Sequence, residues 1–549
     1  MAAYQQTYAP VWGSLGWSAL CAALPLLTLF VLLGGLRWKA WKASLVALAA
    51  ALTVAVVGYR MPPPQAALAG SQGAVFALFP IIWIVLNAIW IYRLTELTGW
   101  DGVLRRAFGS LSNDQRIQAV IIAFCFGALL EALAGFGTPV AVSAAMLVTV
   151  GLRPAKAAAV ALVANTAPVA FGAIAVPITT LGQITGLDAA TLGAVVGRQT
   201  PVLATVVPLV LVFMVDGRRG LRQTWPVALV AGLAFAGAQF VSANFVGYQI
   251  ADIVAALAGA LAVIAMLRVW QPREELSGAP PVPVMAGGAG ESRELDAVMD
   301  RRSGRGSAAL AFAPYLIVVA LFAATTLGPV AAWLKAHAGW SIAWPGLHVL
   351  NAAGKPVSTA LKVDLANAGT ILLIVGVLTA LIYRVGPARA LRAYGATLVR
   401  FRWTIVTVMA VLALAYVMNL SGQTVTLGVV LAAAGGMFAL LSPVVGWLGV
   451  AVTGSDTSSN SLFGLLQLTA ARQTGLSGYL LAAANSSGGV LGKMVSPQNL
   501  AIAATVVGMD GREGVLFRRV LGWSLVLLCG MCALVYLQST PVLGWMVGR

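Results

Sequence analysis

The stretch AANSSGGVLGKMVSPQNL, residues 483–500, sets asparagines, serines, a lysine and a glutamine between strongly apolar neighbours. The whole chain is 549 residues, 60% hydrophobic and only 9% charged, where soluble domains carry about 25% charged residues. Its mean hydropathy is +0.90, and apolar runs recur from end to end. This is the pattern of an all-α polytopic membrane protein. The polar stretch therefore falls where hydrocarbon is expected, and an unpaired backbone group in lipid costs several kcal/mol. Gly, Pro and Asn weaken a helix ladder. The stretch predicts a helix break, tolerated only where it is buried in protein or lines a cavity.

A second such stretch lies upstream, VANTAPVAFGAIAVPITTL, residues 163–181. Asn165 matches Asn485, Thr166 matches Ser486, Gly172 matches Gly492 and Pro177 matches Pro497, each pair 320 residues apart. GFGTP (135–139) matches GSDTS (454–458) at an offset of 319, as Arg153 matches Arg472, whereas IYR (91–93) matches IYR (382–384) at 291. The second half thus holds roughly 28 additional residues ahead of its repeat, about one spanning helix. One additional span inverts everything after it. The loop after the first copy is poor in basic residues and the loop after the second is rich in them, so two repeats of inverted topology are expected.

Spans are expected near 12–36, 43–60, 74–92, 117–136, 156–182, 201–215, 225–246, 249–268, 310–334, 366–383, 403–420, 424–447, 478–507 and 521–540, about 12–14 helices in all. Shorter pieces near 138–152 and 457–471 read as half-spans or limbs of re-entrant hairpins. The chain divides into an N-terminal transmembrane half, 1–270, with the first repeat at about 117–200, and a C-terminal half, 310–549, with the second at about 440–515. Between them, 271–309 reads as a flexible cytoplasmic connector rich in Pro, Gly and Ala.

The net charge of +17 lies mostly in short loops. It therefore argues for orientation, not for a nucleic-acid partner. RWKAWK (37–42), DGRRGLR (216–222) and Arg384–Arg402 are expected in the cytoplasm, with 335–364 and both termini outside. Cys21, Cys125, Cys529 and Cys532 lie in apolar runs, and His337 and His348 share one loop. No metal-ligand spacing results, and no metal or cofactor is expected. The 16 tryptophans read as an interfacial belt.

Three ionisable residues fall deep in apolar surroundings, Glu131, Asp456 and Lys493, and such residues mark functional sites by default. The alternative is that the acids form structural ion pairs with Lys493 or Arg472. Asn165 and Asn485 could equally serve helix–helix hydrogen bonds. The exposed N-termini of broken helices suit a carboxylate. Lys493 is the expected cation for it. Asn165, Thr166, Asn485, Ser486, Ser487, Asn499, Thr138 and Thr457 supply donors and acceptors for a polar substrate. Gly135, Gly137, Gly454, Gly488, Gly489, Pro168, Pro177 and Pro497 are the expected sites of helix breaks or close backbone approach.

EALAGFGTPVAVSAAMLV (131–148), VANTAPVAFGA (163–173), TGSDTSSNSLFG (453–464) and AANSSGGVLGKMVSPQNLAIA (483–503) closely resemble the bacterial lactate permease family. The resemblance implies a proton-coupled symporter for L-lactate, D-lactate and glycolate in the bacterial inner membrane. The proton is then the coupling ion, carried by Asp456 or Glu131, with Asp456 favoured because it lies in a polar break. A sodium-coupled transporter or one for another organic anion is the alternative, and an anion channel a further one. GLSG (475–478) invites a serine-hydrolase reading, but no general base accompanies it, so no enzyme is expected. Oligomeric state is not legible.

Overall fold

The computed structural model describes residues 3–135, 137–276, 310–326 and 328–547. From residue 277 onward the expected connector lies outside them. Among the described residues, nine helices are long and apolar enough to cross a membrane, or ten if one bent pair counts as a span. They run Leu15–Gly35, Ala40–Gly58, Pro63–Thr98, Gln115–Leu133, Ala189–Val246, Tyr248–Val269, Pro387–Ser421, Gln423–Thr453 and Glu513–Gln538. Ala189–Val246, with 58 residues, is nearly three times the roughly 20 residues a span needs. It breaks at Asp216–Gly217, where Gly217 takes φ +59, so it covers the two spans expected over 201–246. Pro63–Thr98 bends at Phe79, whose φ −136 and ψ 117 are extended.

The two polar repeats share one layout of helix, break, helix, turn, helix, break and helix. In the first copy Gly127–Leu133 breaks over 134–137 into Thr138–Thr149, with Gly135 and Gly137 at φ +45 and +86. A turn leads to Pro154–Ala164, which breaks and continues through Val169–Thr185 at 63°. In the second copy Phe438–Thr453 breaks at Gly454, φ +76, into Asp456–Thr474. A turn leads to Gly478–Gly492, a break over 493–496, and Pro497–Val506. Glycine supplies the left-handed conformation at Gly135, Gly137 and Gly454 that other residues adopt only at a cost. Each second break stands just ahead of its proline, Pro177 or Pro497. Ala173, Ile174 and Ala175 take left-handed φ of +46, +57 and +55, three residues of strained backbone before Pro177.

One expectation is corrected here. Asn485-Ser-Ser-Gly-Gly is not a break, because Gly478–Gly492 runs as an unbroken helix through it. Its glycines serve packing instead. A Cβ at Gly488 would run into the Pro443 carbonyl, one at Gly492 into the Trp447 carbonyl, and one at Gly446 into the Asn485 carbonyl. Gly488-x-x-x-Gly492 faces Ser442-x-x-x-Gly446, a small-residue seam that lets two helix backbones touch. The break lies further on, at Lys493–Ser496.

The ends of the molecule are set by contacts distant in sequence. Tyr4–Gln5 pairs in parallel with Val349–Leu350, and the Tyr4 hydroxyl donates to the carbonyls of Tyr59 and Ser421. Eighteen residues back along those two helices Trp41 stacks on Trp403, with 4.5 Å between ring centroids. Eighteen residues of helix place these two regions about 27 Å apart, near a bilayer's hydrocarbon thickness. The basic segments 37–42 and 384–402 thus share one end, the latter helical from Pro387 instead of the expected loop, and the N-terminal strand and segment 339–364 share the opposite one. Arg116 is buried against Asp114 and Asp216, at 2.6 and 3.1 Å. It also donates to the Glu274 carbonyl. This ties the break at Asp216 to the start of the connector.

Candidate functional site

The four breaks meet at a cavity of about 240 Å³, below the roughly 300–1,000 Å³ of sites for drug-sized ligands. Three helix N-termini open onto it. Gly454, Ser455, Asp456 and Thr457 bring the start of Asp456–Thr474, Gln498 and Asn499 that of Pro497–Val506, and Gly172, Ala173, Val176 and Pro177 that of the limb ending at Thr185. Free N–H groups and partial positive charge at such ends favour an anion. Glu131 and Lys493 complete the charged wall.

Lys493 Nζ donates to Glu131 Oε1 at 2.6 Å, across 362 residues of sequence. Both side chains are almost fully buried, 8% and 4% exposed. Asn165 Nδ2 donates to the other oxygen, Oε2, at 2.9 Å. Gly172 leaves the space that Glu131 fills, since a Cβ there would overlap its carboxylate. The first repeat thus supplies the acid and its amide, and the second the cation. A buried pair of this kind is costly to separate by removing one member, because the other is left uncompensated.

Asp456 lies in the first turn of its helix. Its Oδ2 accepts from Ser486 Oγ at 2.5 Å and Asn460 Nδ2 at 3.4 Å, while Oδ1 has no hydrogen-bond partner among the described residues. Asn460 also donates to the Pro177 carbonyl at 3.2 Å, so the two breaks share one amide. Asn485 donates to Asn460 Oδ1 and accepts from Gln467. Asn499 Nδ2 donates to Ser496 Oγ and to the Gly454 carbonyl.

Of the residues expected to contact substrate, Lys493, Asn499 and Thr457 line the cavity, as do both expected proton carriers, Glu131 and Asp456. Asn165, Asn485 and Ser486 stand one layer behind, holding Glu131, Asn460 and Asp456. Thr166 is committed to the Val163 carbonyl at 2.7 Å. Ser487 is buried in the helix interior. Thr138 starts Thr138–Thr149 and lies outside the cavity lining. Pro168 sits in the second break of the first copy, as N-cap of the short helix Val169–Phe171. Arg472 is exposed in the last turn of its helix, so the partner of Glu131 is Lys493 and not Arg472.

Sequence reasoning missed several residues. Trp41, Trp403, Thr404 and Thr407 form the wall opposite the breaks. The tryptophans carried no signal beyond the interfacial one. Asp252 is buried, 1% exposed, at the start of Ala251–Val269. Its signal was plain, a lone acid in the apolar run VGYQIADIVAAL. Asn460 was in view within SDTSSNS, but its bridging position depends on tertiary packing.

The sequence profile of the L-lactate permease family matches residues 18–542. The chain is 40% identical to the glycolate permease GlcA of Escherichia coli (strain K12) over 568 aligned residues covering all of both chains. It is 39% identical to the L-lactate permease of Bacillus subtilis (strain 168), covering 99% of this chain and 100% of that one. Among solved structures, the YdaH transporter of Alcanivorax borkumensis aligns with a TM-score of 0.42 at 17% identity, over 87% of this chain and 88% of that one. Profile and relatives agree from end to end, and this multi-pass membrane chain belongs to the L-lactate permease family.

Proposed function

We propose that this protein is a secondary active transporter of the bacterial inner membrane that takes up L-lactate, and the related D-lactate and glycolate, together with a proton. The observation that carries this reading is the Lys493–Glu131 pair at a cavity ringed by helix N-termini. One buried cation then serves two anions in turn. Arriving substrate places its carboxylate on Lys493, supported by the N–H groups at the breaks. Glu131, released, is an uncompensated buried charge unless it takes a proton. Substrate binding and proton uptake are thereby made one event. Thr457 and Asn499 receive the 2-hydroxyl, and Asp456 orients that side through Ser486 and Asn460. The two repeats, inverted relative to one another, then rock about the breaks to open the site to the other side. The names of the relatives, permeases for glycolate and L-lactate, support the substrate class.

The test is uptake of labelled L-lactate, D-lactate, glycolate and pyruvate by a host lacking its own permeases, with and without a proton uncoupler and with and without sodium. The expected result is concentrative hydroxy-acid uptake, abolished by the uncoupler and indifferent to sodium. Uptake that needs sodium identifies a sodium-coupled transporter, and uptake that only equilibrates identifies a channel. Either contradicts the proposal.

A further inference from the structure

The proposed cycle leaves one buried acid without a task. Asp252 lies at the start of Ala251–Val269, 1% exposed. Its Oδ1 accepts from Gln239 Nε2 at 2.9 Å, and its Oδ2 has no hydrogen-bond partner among the described residues. None of the ion pairs among them includes it. A carboxylate buried in a membrane protein without a cation is costly, and such residues persist where they carry ions or protons.

Its surroundings connect it to the site. The Gln239 amide that holds Asp252 also donates to the Ala167 carbonyl, at 3.4 Å, and accepts from Thr200 at 3.1 Å. Ala167 lies in the second break of the first copy, two residues from Asn165, whose amide holds Glu131. A polar path therefore runs from Lys493 through Glu131 and Asn165 to the break, and from the break through Gln239 to Asp252. Electrostatically, Asp252 is acted on by Glu131 and by Lys493. Other charged groups on the elements packed against its helix are bound elsewhere or, like Arg218 and Arg222, exposed. Arg198 is bound to Asn244 and the Met546 carbonyl, and Arg116 to Asp114 and Asp216. Cys125 and Tyr315 are the buried titratable neutral side chains on the facing helices.

We propose that Asp252 is a second proton-carrying carboxyl of the transport cycle, sharing a proton with Glu131. The inference rests on the proton-coupled reading above and extends it. With Glu131 paired to Lys493, the proton resides on Asp252, which has no cation to stabilise its charge. When substrate takes Lys493, Glu131 and Asp252 are two buried carboxyls with no cation to share, and buried like charges of this kind do not both stay ionised. The proton held on Asp252 then passes to Glu131 as the cation leaves it, and the incoming proton refills Asp252. Asp252 thus raises the cost of binding substrate without a proton, which tightens coupling. No bond other than O–H forms or breaks.

The experiment compares wild type, Asp252→Asn and Asp252→Glu in proteoliposomes, with protein content measured in each. Lactate exchange at equal pH is set against accumulation driven by a pH gradient. A gradient of about one unit can drive about tenfold accumulation in a one-proton symport. For Asp252→Asn the account expects accumulation to fall to near equilibration and the pH dependence of exchange to flatten. Exchange itself falls far less than accumulation, and Asp252→Glu restores coupling. Accumulation and pH profile matching wild type in Asp252→Asn would overturn the proposal. So would parallel loss of exchange and accumulation in both variants at normal protein content, which marks a structural role. Wild type that fails to accumulate lactate under the gradient contradicts the proton-coupled reading instead.

Discussion

Lys493 is the residue on which the account turns, because it is the one cation at the cavity among the described residues and it is already engaged. Replacing it with alanine leaves Glu131 buried without its partner and removes the substrate's counter-ion. Lys493→Ala is expected to abolish saturable lactate uptake while the protein still reaches the membrane. Saturable uptake in that variant would take Lys493 out of the role. Glu131→Gln has a different expected signature. The amide fills the same space and still meets Asn165, but it no longer competes with substrate for the ammonium. Lactate exchange should persist, and uptake should lose its dependence on the pH gradient. Glu131, Asp456 and Lys493 were legible as ionisable residues in apolar surroundings. Their pairing was not, because it joins residues 362 apart through two breaks whose meeting no local pattern encodes.

At the scale of elements, Gly135, Gly137 and Gly454 take left-handed backbone where the helices break, and their signal is legible in sequence because their backbone chemistry is local. The glycines of Gly488-Gly489 were read as a break and are a contact. Gly488-x-x-x-Gly492 was present in the sequence, but only the helix Phe438–Thr453 lying against it decides between the two meanings. This makes a prediction about packing. Gly488→Leu drives a side chain into the Pro443 backbone, and overpacking of this kind costs about 1–3 kcal/mol. It should lower the thermal unfolding midpoint in detergent. Gly395→Ala, on Pro387–Ser421 with open space around it, should leave the midpoint within error. Equal midpoints for the two variants would refute the seam. The strained turn Ala173–Ala175 was also invisible in the sequence, because alanine and isoleucine carry no signal for left-handed backbone.

For the whole molecule, the sequence showed a membrane protein and a doubled polar motif, and its loop charges carry an expectation of sidedness. The structure places segments 37–42 and 384–402 at one end through the Trp41–Trp403 stack. The N-terminal strand and residues 349–350 lie at the other end. Loop charge predicts that the first end faces the cytoplasm. In a cysteine-free background, Trp38→Cys and Ala388→Cys should label with an impermeant maleimide only from the cytoplasmic side, and Ala353→Cys only from outside. Labelling of positions 38 and 353 from the same side would contradict the arrangement. The span count was hard to read, because long helices such as Ala189–Val246 run through what hydropathy reads as separate segments.

The central claim is that one lysine is shared between Glu131 and the substrate, so that lactate binding forces a proton onto the protein. Calorimetric titration of the purified protein with L-lactate, in buffers of different ionisation enthalpy, counts that proton directly. The account predicts proton uptake on binding in wild type and its loss in Glu131→Gln. Equal proton uptake in both, or none in wild type, would contradict it.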